Sequence, residues 1–241
     1  MLARSINLTS LPPGGVAVVV GATGGIGRAF VHAIAKSGRF SEVREFGRST
    51  SPALDLLSEE TIEETAASIG NSAALPRLIV DATGLLHGRG MMPEKSIAQL
   101  DSAQLARLFA VNATGPALLM KHFLPLLPKE GKSVFATLSA KVGSIGDNQL
   151  GGWYGYRASK AALNQFVRTA AIELKRRKPS AVCVALHPGT VATNLSSPFA
   201  KSGLALQSPE EAAGRLLMTI DELSADETGG FFSYEGKALP W

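Results

Sequence analysis

Short, wholly apolar runs alternate along this chain with segments that carry apolar residues on one face only. Val16 to Val20 follows Pro12-Pro13-Gly14-Gly15 and reads as a strand buried on both sides of a parallel sheet. Ile26, Phe30 and Ile34 then recur at a helical period, and Gly38 closes that helix. Glu42 to Phe46 reads as a short second strand. Ser58 and Thr61 offer caps for a helix running to about Ile69. Leu78 to Val80 is the next buried strand. A long helix is predicted from about Asp101, with apolar positions at Leu105, Leu108, Phe109 and Val111, then Leu118, Leu119 and Phe123; Pro116 kinks or breaks it. Val134 to Leu138 is a strand, 143–155 a glycine-rich loop, and Tyr156 to Arg176 a helix that buries Leu163, Phe166, Val167, Ala170 and Leu174. Val182 to Leu186, a helix opened by Pro209 and running to about Leu223, and a last strand over 229–234 complete the pattern.

Strands alternating with helices predict an α/β protein: a Rossmann-type, doubly wound parallel sheet with helices on both faces, binding ligands at the carboxyl ends of its strands. No internal repeat or linker interrupts the 241 residues, so residues 1–241 are expected to form a single domain. Hydrophobic residues at 45% and charged ones at 18% supply a core and exclude a disordered chain. The formal net charge of +4 does not point to nucleic acid, because the one basic run, 175–178, ends a predicted helix, where cations meet the negative end of its dipole. The single cysteine, Cys183, lies in an apolar run and forms neither an internal disulfide nor a metal cluster. With no leader pattern and no apolar run of about 20 residues, a cytoplasmic protein is expected.

The candidate chemistry begins with Tyr156 and Lys160. Four residues apart on a helix, they share a face. An ammonium beside a phenol is expected to lower the phenol's pKa from about 10, so that Tyr156 could exchange a proton with an alcohol or carbonyl. Gly21, Gly25 and Gly27 lie between a strand and a helix. There, glycines let the backbone turn tightly against a pyrophosphate whose charge the helix N-terminus meets.

Gly21-x-x-x-Gly25-x-Gly27, Asn112, Tyr156-x-x-x-Lys160 and His187-Pro188-Gly189, in that order, resemble the short-chain dehydrogenase/reductase family over essentially the whole chain. The loop 143–154 and the ending 236–241 further resemble its subgroup of C-factor and sniffer-like carbonyl reductases. The resemblance implies an NAD(P)-dependent enzyme that passes hydride between nicotinamide and a small carbonyl or alcohol substrate, assembled as a homodimer or homotetramer through Phe109, Leu119 and Phe166. It implies a cofactor turn of Gly21, Thr23, Gly25, Ile26 and Gly27, a floor at Ala82 and Gly84, and a loop of Pro188, Gly189, Val191 and Thr193 at the nicotinamide and pyrophosphate. Tyr156 and Lys160 contact the nucleotide as well as the substrate, and Asn112 holds a water linking Lys160 to solvent. Residues from about 193 to 207 would form the substrate loop. The other reading that it brings is a cofactor-binding signalling or scaffold protein of the C-factor type, with little turnover.

NADP is favoured because Arg48 follows the second strand, where a 2′-phosphate is met by a base; Glu45 lies earlier, and NAD stays open. Asp55 either holds the adenine amine or caps a turn. Two departures stand out. Asp81-Ala82-Thr83-Gly84 replaces the family's Asn-Asn-Ala-Gly. Counting three residues back from Gly143, where the family keeps its catalytic serine, lands on Ala140. Ser139 is the expected substitute provided the strand end bulges, since a one-residue slip turns a side chain to the other face; Ser144 is the second candidate.

Overall fold

A computed structural model describes residues 6–88, 90–199 and 206–241. Its centre is β1, Val16–Val20, all five residues buried. Four longer strands join it, β2 (Glu42–Phe46), β3 (Pro76–Asp81), β4 (Ser133–Leu138) and β5 (Ala181–His187), with the short β6 (Phe231–Ser233). They form one sheet in the order β2-β1-β3-β4-β5-β6, every neighbouring pair parallel. The chain leaves β1 toward β2 on one side and returns to β3 on the other. The carboxyl ends of β1 and β3 therefore flank a topological switch, the place where such sheets bind ligands.

The pleat divides β1 between two cores. Val16, Val18 and Val20 pack with Phe123, Phe135 and Leu163 on one face, while Ala17 and Val19 pack with Phe30, Ile34 and Leu216 on the other. Helices α2 (Glu59–Gly70), α4 (Gly115–Phe123) and α5 (Tyr154–Arg177) cover the first face; α1 (Gly25–Ser37) and α6 (Pro209–Glu222) cover the second. Continuous apolar strands are what double coverage demands. Among the described residues, no helix is long and apolar enough to cross a membrane.

Several local expectations are met, and others are corrected. Gly38 ends α1 in the left-handed conformation, at φ 62. Ser208 and Glu211 form a reciprocal cap on α6, with Pro209 in its first turn. Ser58 stands at the start of α2 without making a side-chain cap; Thr61 instead ties Asp55 to the helix, donating to the Asp55 and Ser58 carbonyls and accepting from the Asp55 N–H. The long helix is interrupted: α3 (Ser102–Phe109) passes through a π-helical turn, Ala110–Thr114, before α4 begins with Pro116 in its first turn. Phe166 is 44% exposed rather than buried, and Leu119 is fully buried, so Leu119 has no surface to offer a second subunit.

Candidate active site

Two glycines make the turn after β1 possible. Gly21 adopts φ +80, and a Cβ on Gly27 would stand 2.1 Å from the Gly21 carbonyl oxygen. The Gly21 and Ala22 N–H groups both donate to the Phe46 carbonyl (2.8 and 3.1 Å), locking the turn onto the end of β2. Behind it, Ala82 donates its N–H to the Val20 carbonyl at 2.9 Å. A Cβ on Gly25 would meet the Thr193 methyl at 3.0 Å, so the loop after β5 stands against the glycine turn. Ile26 packs partly into the second core. Thr23 lies beside Gly47, at the end of β2. The result is a concave strip of backbone at the start of α1 that side chains would fill, which fits a pyrophosphate.

Arg48 is exposed just beyond β2 and makes no ion pair among the described residues. Asp55 Oδ1 accepts from the Leu57 N–H at 3.1 Å, which is the turn-capping alternative. After β5, Gly189 sits at φ +78 under the Tyr234 ring, the Pro188 carbonyl accepts from Gln207 Nε2 at 3.2 Å, and Val191 is buried in a bridge to Gln207. Of the expected substrate loop, residues 200–205 lie outside the described residues.

Tyr156 and Lys160 lie one turn apart on α5, both buried. Lys160 Nζ donates to the Leu138 carbonyl at 2.7 Å. Gly84 lies beside Lys160 and Asn112: a Cβ there would be 3.8 Å from both Lys160 Nζ and Asn112 Oδ1. The expected depression of the phenol is not found. Burial pushes the Tyr156 pKa up, and burial also pulls Lys160 down to about 8, against the opposing charge of Asp81. Burial disfavours the charged form of each group, and that outweighs their proximity.

Asn112 lies in the π turn, a feature frequent at functional sites. Its Oδ1 accepts from the Leu85 N–H at 2.7 Å, and its Nδ2 donates to the Leu85 carbonyl (2.7 Å) and to Ser159 Oγ (3.1 Å). The side chain therefore fastens the segment after β3 to α5. Asp81, fully buried, accepts from Thr137 Oγ1 (2.7 Å), Thr83 Oγ1 (2.6 Å) and the Thr83 N–H (3.0 Å). Burial raises its pKa, opposed by these bonds and by the Lys160 charge.

Neither serine is hydrogen-bonded to Tyr156 among the described residues; each has a partner elsewhere. Phe135 packs on the α5 side of the sheet, and the alternation of β4 carries on unbroken past the strand to Ser139, whose hydroxyl donates to Asn164 Oδ1 of α5 at 2.7 Å. No bulge brings it to the cleft, and the expectation for Ser139 is corrected. Ser144 Oγ accepts from the Asp147 N–H at 3.0 Å, within its own loop. Tyr156 is buried in an apolar cluster with Leu86 and Leu108, and Ala140, Val142, Trp153 and Phe199 are among the residues packed against it. Trp153 meets Tyr156 and Phe199 edge-on, at 6.2 and 5.0 Å between ring centres. This aromatic wall, and the buried Glu94 behind it, were not anticipated from the sequence.

The short chain dehydrogenase family model matches residues 15–202. The chain is 33% identical over 195 residues to the 1-hydroxy-2-glutathionyl-2-methyl-3-butene dehydrogenase of Rhodococcus sp. (strain AD45), covering 81% of each. It is 38% identical over 146 residues to the C-signal protein of Myxococcus xanthus, covering 61% of this chain and 84% of that one. Among solved structures, the NADPH-bound carbonyl reductase from chicken fatty liver superposes with a TM-score of 0.81 at 25% identity, over 98% of each chain. The carbonyl reductase Sniffer of D. melanogaster superposes at 0.79 and 24% identity, over 94% of this chain and 99% of that one, a likeness of fold.

Proposed function

The chain belongs to the short-chain dehydrogenase family and is an NAD(P)-dependent oxidoreductase, and from that premise we propose that it is an NADPH-preferring reductase of a small, apolar carbonyl compound, working in the cytoplasm. The observation that carries this reading is the burial of Tyr156 and Lys160 one turn apart on α5, with Lys160 next to Gly84 at the carboxyl edge of the sheet. Gly21, Thr23, Gly25, Ile26 and Gly27 would hold the pyrophosphate against the start of α1, with Ala82 and Gly84 beneath and Pro188, Gly189, Val191 and Thr193 opposite. Arg48, with no ion pair to break, would meet the 2′-phosphate, and Asp55 lies on the adenine side. When bound, the nicotinamide supplies the hydride.

The protein's own part is the proton and the pocket. Tyr156 gives its proton to the carbonyl oxygen, a transfer suited to a phenol that burial keeps neutral. Lys160 stabilises the phenolate left behind. Asn112 is a positioning residue, holding Leu85 to α5. Ala140 brings no hydroxyl, so the carbonyl is oriented by Tyr156 and by shape, with Leu86, Val142, Trp153 and Phe199 lining the approach. A carbonyl flanked by apolar groups matches that lining better than a sugar does. The signalling reading is not favoured, because nothing in it calls for a buried Tyr–Lys pair.

The subunits would pair as a homodimer or homotetramer through the outer faces of α4 and α5. Phe166 is exposed there, as is Phe109 at the end of α3.

The deciding experiment is Tyr156→Phe. Losing the hydroxyl while keeping the ring should lower reduction of aldehydes and ketones by about 10² to 10⁴, with NADPH binding retained. Undiminished turnover would overturn the mechanism.

A further inference from the structure

The helix that carries Tyr156 starts in an unusual way. Trp153, just before α5, has φ 53 and ψ 41, and it follows Gly151 and Gly152, both at φ 64. A bulky L-residue in the left-handed region is strained and persists only where its surroundings over-determine it. Here the surroundings are Glu94. Its carbonyl accepts from the Trp153 N–H at 2.5 Å, and its carboxylate Oε2 accepts from the Gly155 N–H at 3.2 Å. Glu94 is 2% exposed, and Gln104 Nε2 donates to its other oxygen at 3.0 Å.

A buried carboxylate is costly unless its oxygens are met. The Gly155 N–H in the first turn of α5 meets one oxygen and the Gln104 amide the other, and the positive end of a 24-residue helix lies on the same side. Space confines the same joint: a Cβ on Gly155 would stand 2.7 Å from Leu108 and 2.9 Å from Leu105 of α3. Tyr156 follows directly, with the Trp153 indole edge-on to its ring.

We propose that Glu94 is a positioning residue for Tyr156: its carboxylate holds the first turn of α5 at Gly155 while its main-chain carbonyl holds the Trp153 N–H, and the side-chain contact fixes where the phenol hydroxyl stands and sets the indole as the wall between Tyr156 and Phe199. The proposal rests on Tyr156 as the proton donor. It assigns Glu94 no contact with substrate or cofactor.

The test uses Trp241→Phe as background, which keeps an aromatic ring stacked on Phe231 and leaves Trp153 as the one remaining tryptophan. Glu94→Asp keeps the charge but shortens the reach to Gly155; Glu94→Gln keeps the reach and an acceptor oxygen. Each is measured for reduction of 4-nitrobenzaldehyde, for NADPH affinity, and for Trp153 emission and its quenching by acrylamide. Displacing a catalytic group by about 1 Å can cost about 10²-fold. Glu94→Asp should therefore lower kcat by roughly 10- to 100-fold, with NADPH affinity unchanged and the Trp153 emission shifted and more quenchable. Glu94→Gln should keep most of both parent properties. A Glu94→Asp protein as active as Glu94→Gln, or with parent emission, overturns the inference while the Tyr156 reading stands. If the parent reduces no carbonyl compound, or Tyr156→Phe matches it, the Tyr156 reading falls and the catalytic half of this inference falls with it. The emission series then still decides whether Glu94 holds the joint.

Discussion

Gly27→Ala puts the cofactor turn under a stress that the structure defines closely. The added Cβ would lie 2.1 Å from the Gly21 oxygen, 2.8 Å from its carbonyl carbon and 3.1 Å from Ala22 Cα, whereas real Cβ atoms essentially never approach within 3.0 Å. All three neighbours are backbone, so no rotamer change relieves the clash. The turn would have to withdraw by nearly an ångström, and it is tied to β2 by the Gly21 and Ala22 N–H bonds to the Phe46 carbonyl. Overpacking of this kind costs about 1–3 kcal/mol. Loss of the Gly24 N–H bond to the Gly21 oxygen, at 3.0 Å, adds about 1 kcal/mol. At about 2–4 °C per kcal/mol for a chain of this length, the melting temperature should fall by roughly 5–15 °C. Reshaping the strip that meets the pyrophosphate should also weaken NADPH by about tenfold or more, equal to at least 1.4 kcal/mol. Thermal melting with and without NADPH, and calorimetric titration, measure both effects. Arg48→Ala in the same assays should leave the melting temperature alone and remove the preference for NADPH over NADH. A Gly27→Ala protein with parent stability and parent NADPH affinity would refute both the contact argument and the placement of the cofactor.

Asp81→Asn tests the charge beneath Lys160. If reduction needs the ammonium, the rate is full below the pKa of about 8 and is lost as pH rises through it; removing the carboxylate that opposes burial moves that limb to lower pH, and a superimposable pH–rate profile refutes the coupling. The exposed face of α5 is tested by light scattering: an oligomer is expected at micromolar protein, with Phe166→Asp shifting it toward monomer, and a monomeric parent overturns the assembly.

Much of the architecture is legible in the sequence because parallel strands covered on both sides must be apolar throughout, and β1, β4 and β5 are. The glycine turn and the Tyr156–Lys160 spacing are legible because each works over a few consecutive residues. What fails to show is whatever depends on a partner far along the chain or on an unexpected face. The 24-residue α5 carries apolar residues around more than one face, so its period alone did not separate Phe166, turned outward, from Leu163 and Val167, turned inward. The π turn at Asn112 leaves no mark in the spacing of apolar positions beyond Pro116. Glu94 reaches a helix 61 residues away and sits in no motif of its own.

The two departures at the strand ends share a physical logic that runs along β4. Thr137 and Ser139 alternate with Leu138 and Ala140, and both hydroxyls serve neighbours: Thr137 donates to Asp81, Ser139 to Asn164. Between them, the Leu138 carbonyl takes the Lys160 ammonium. The polar groups at this end of β4 are thus engaged with Asp81, Lys160 and Asn164, and Ala140, which has no hydroxyl, packs against the cluster that contains Tyr156. In the proposed mechanism, with no serine to share the carbonyl oxygen, the positions of Tyr156 and of the aromatic wall would carry the orientation of the substrate. That mechanism would place the greatest demand on the joint where α5 begins, which is where the chain keeps a left-handed tryptophan and a buried carboxylate.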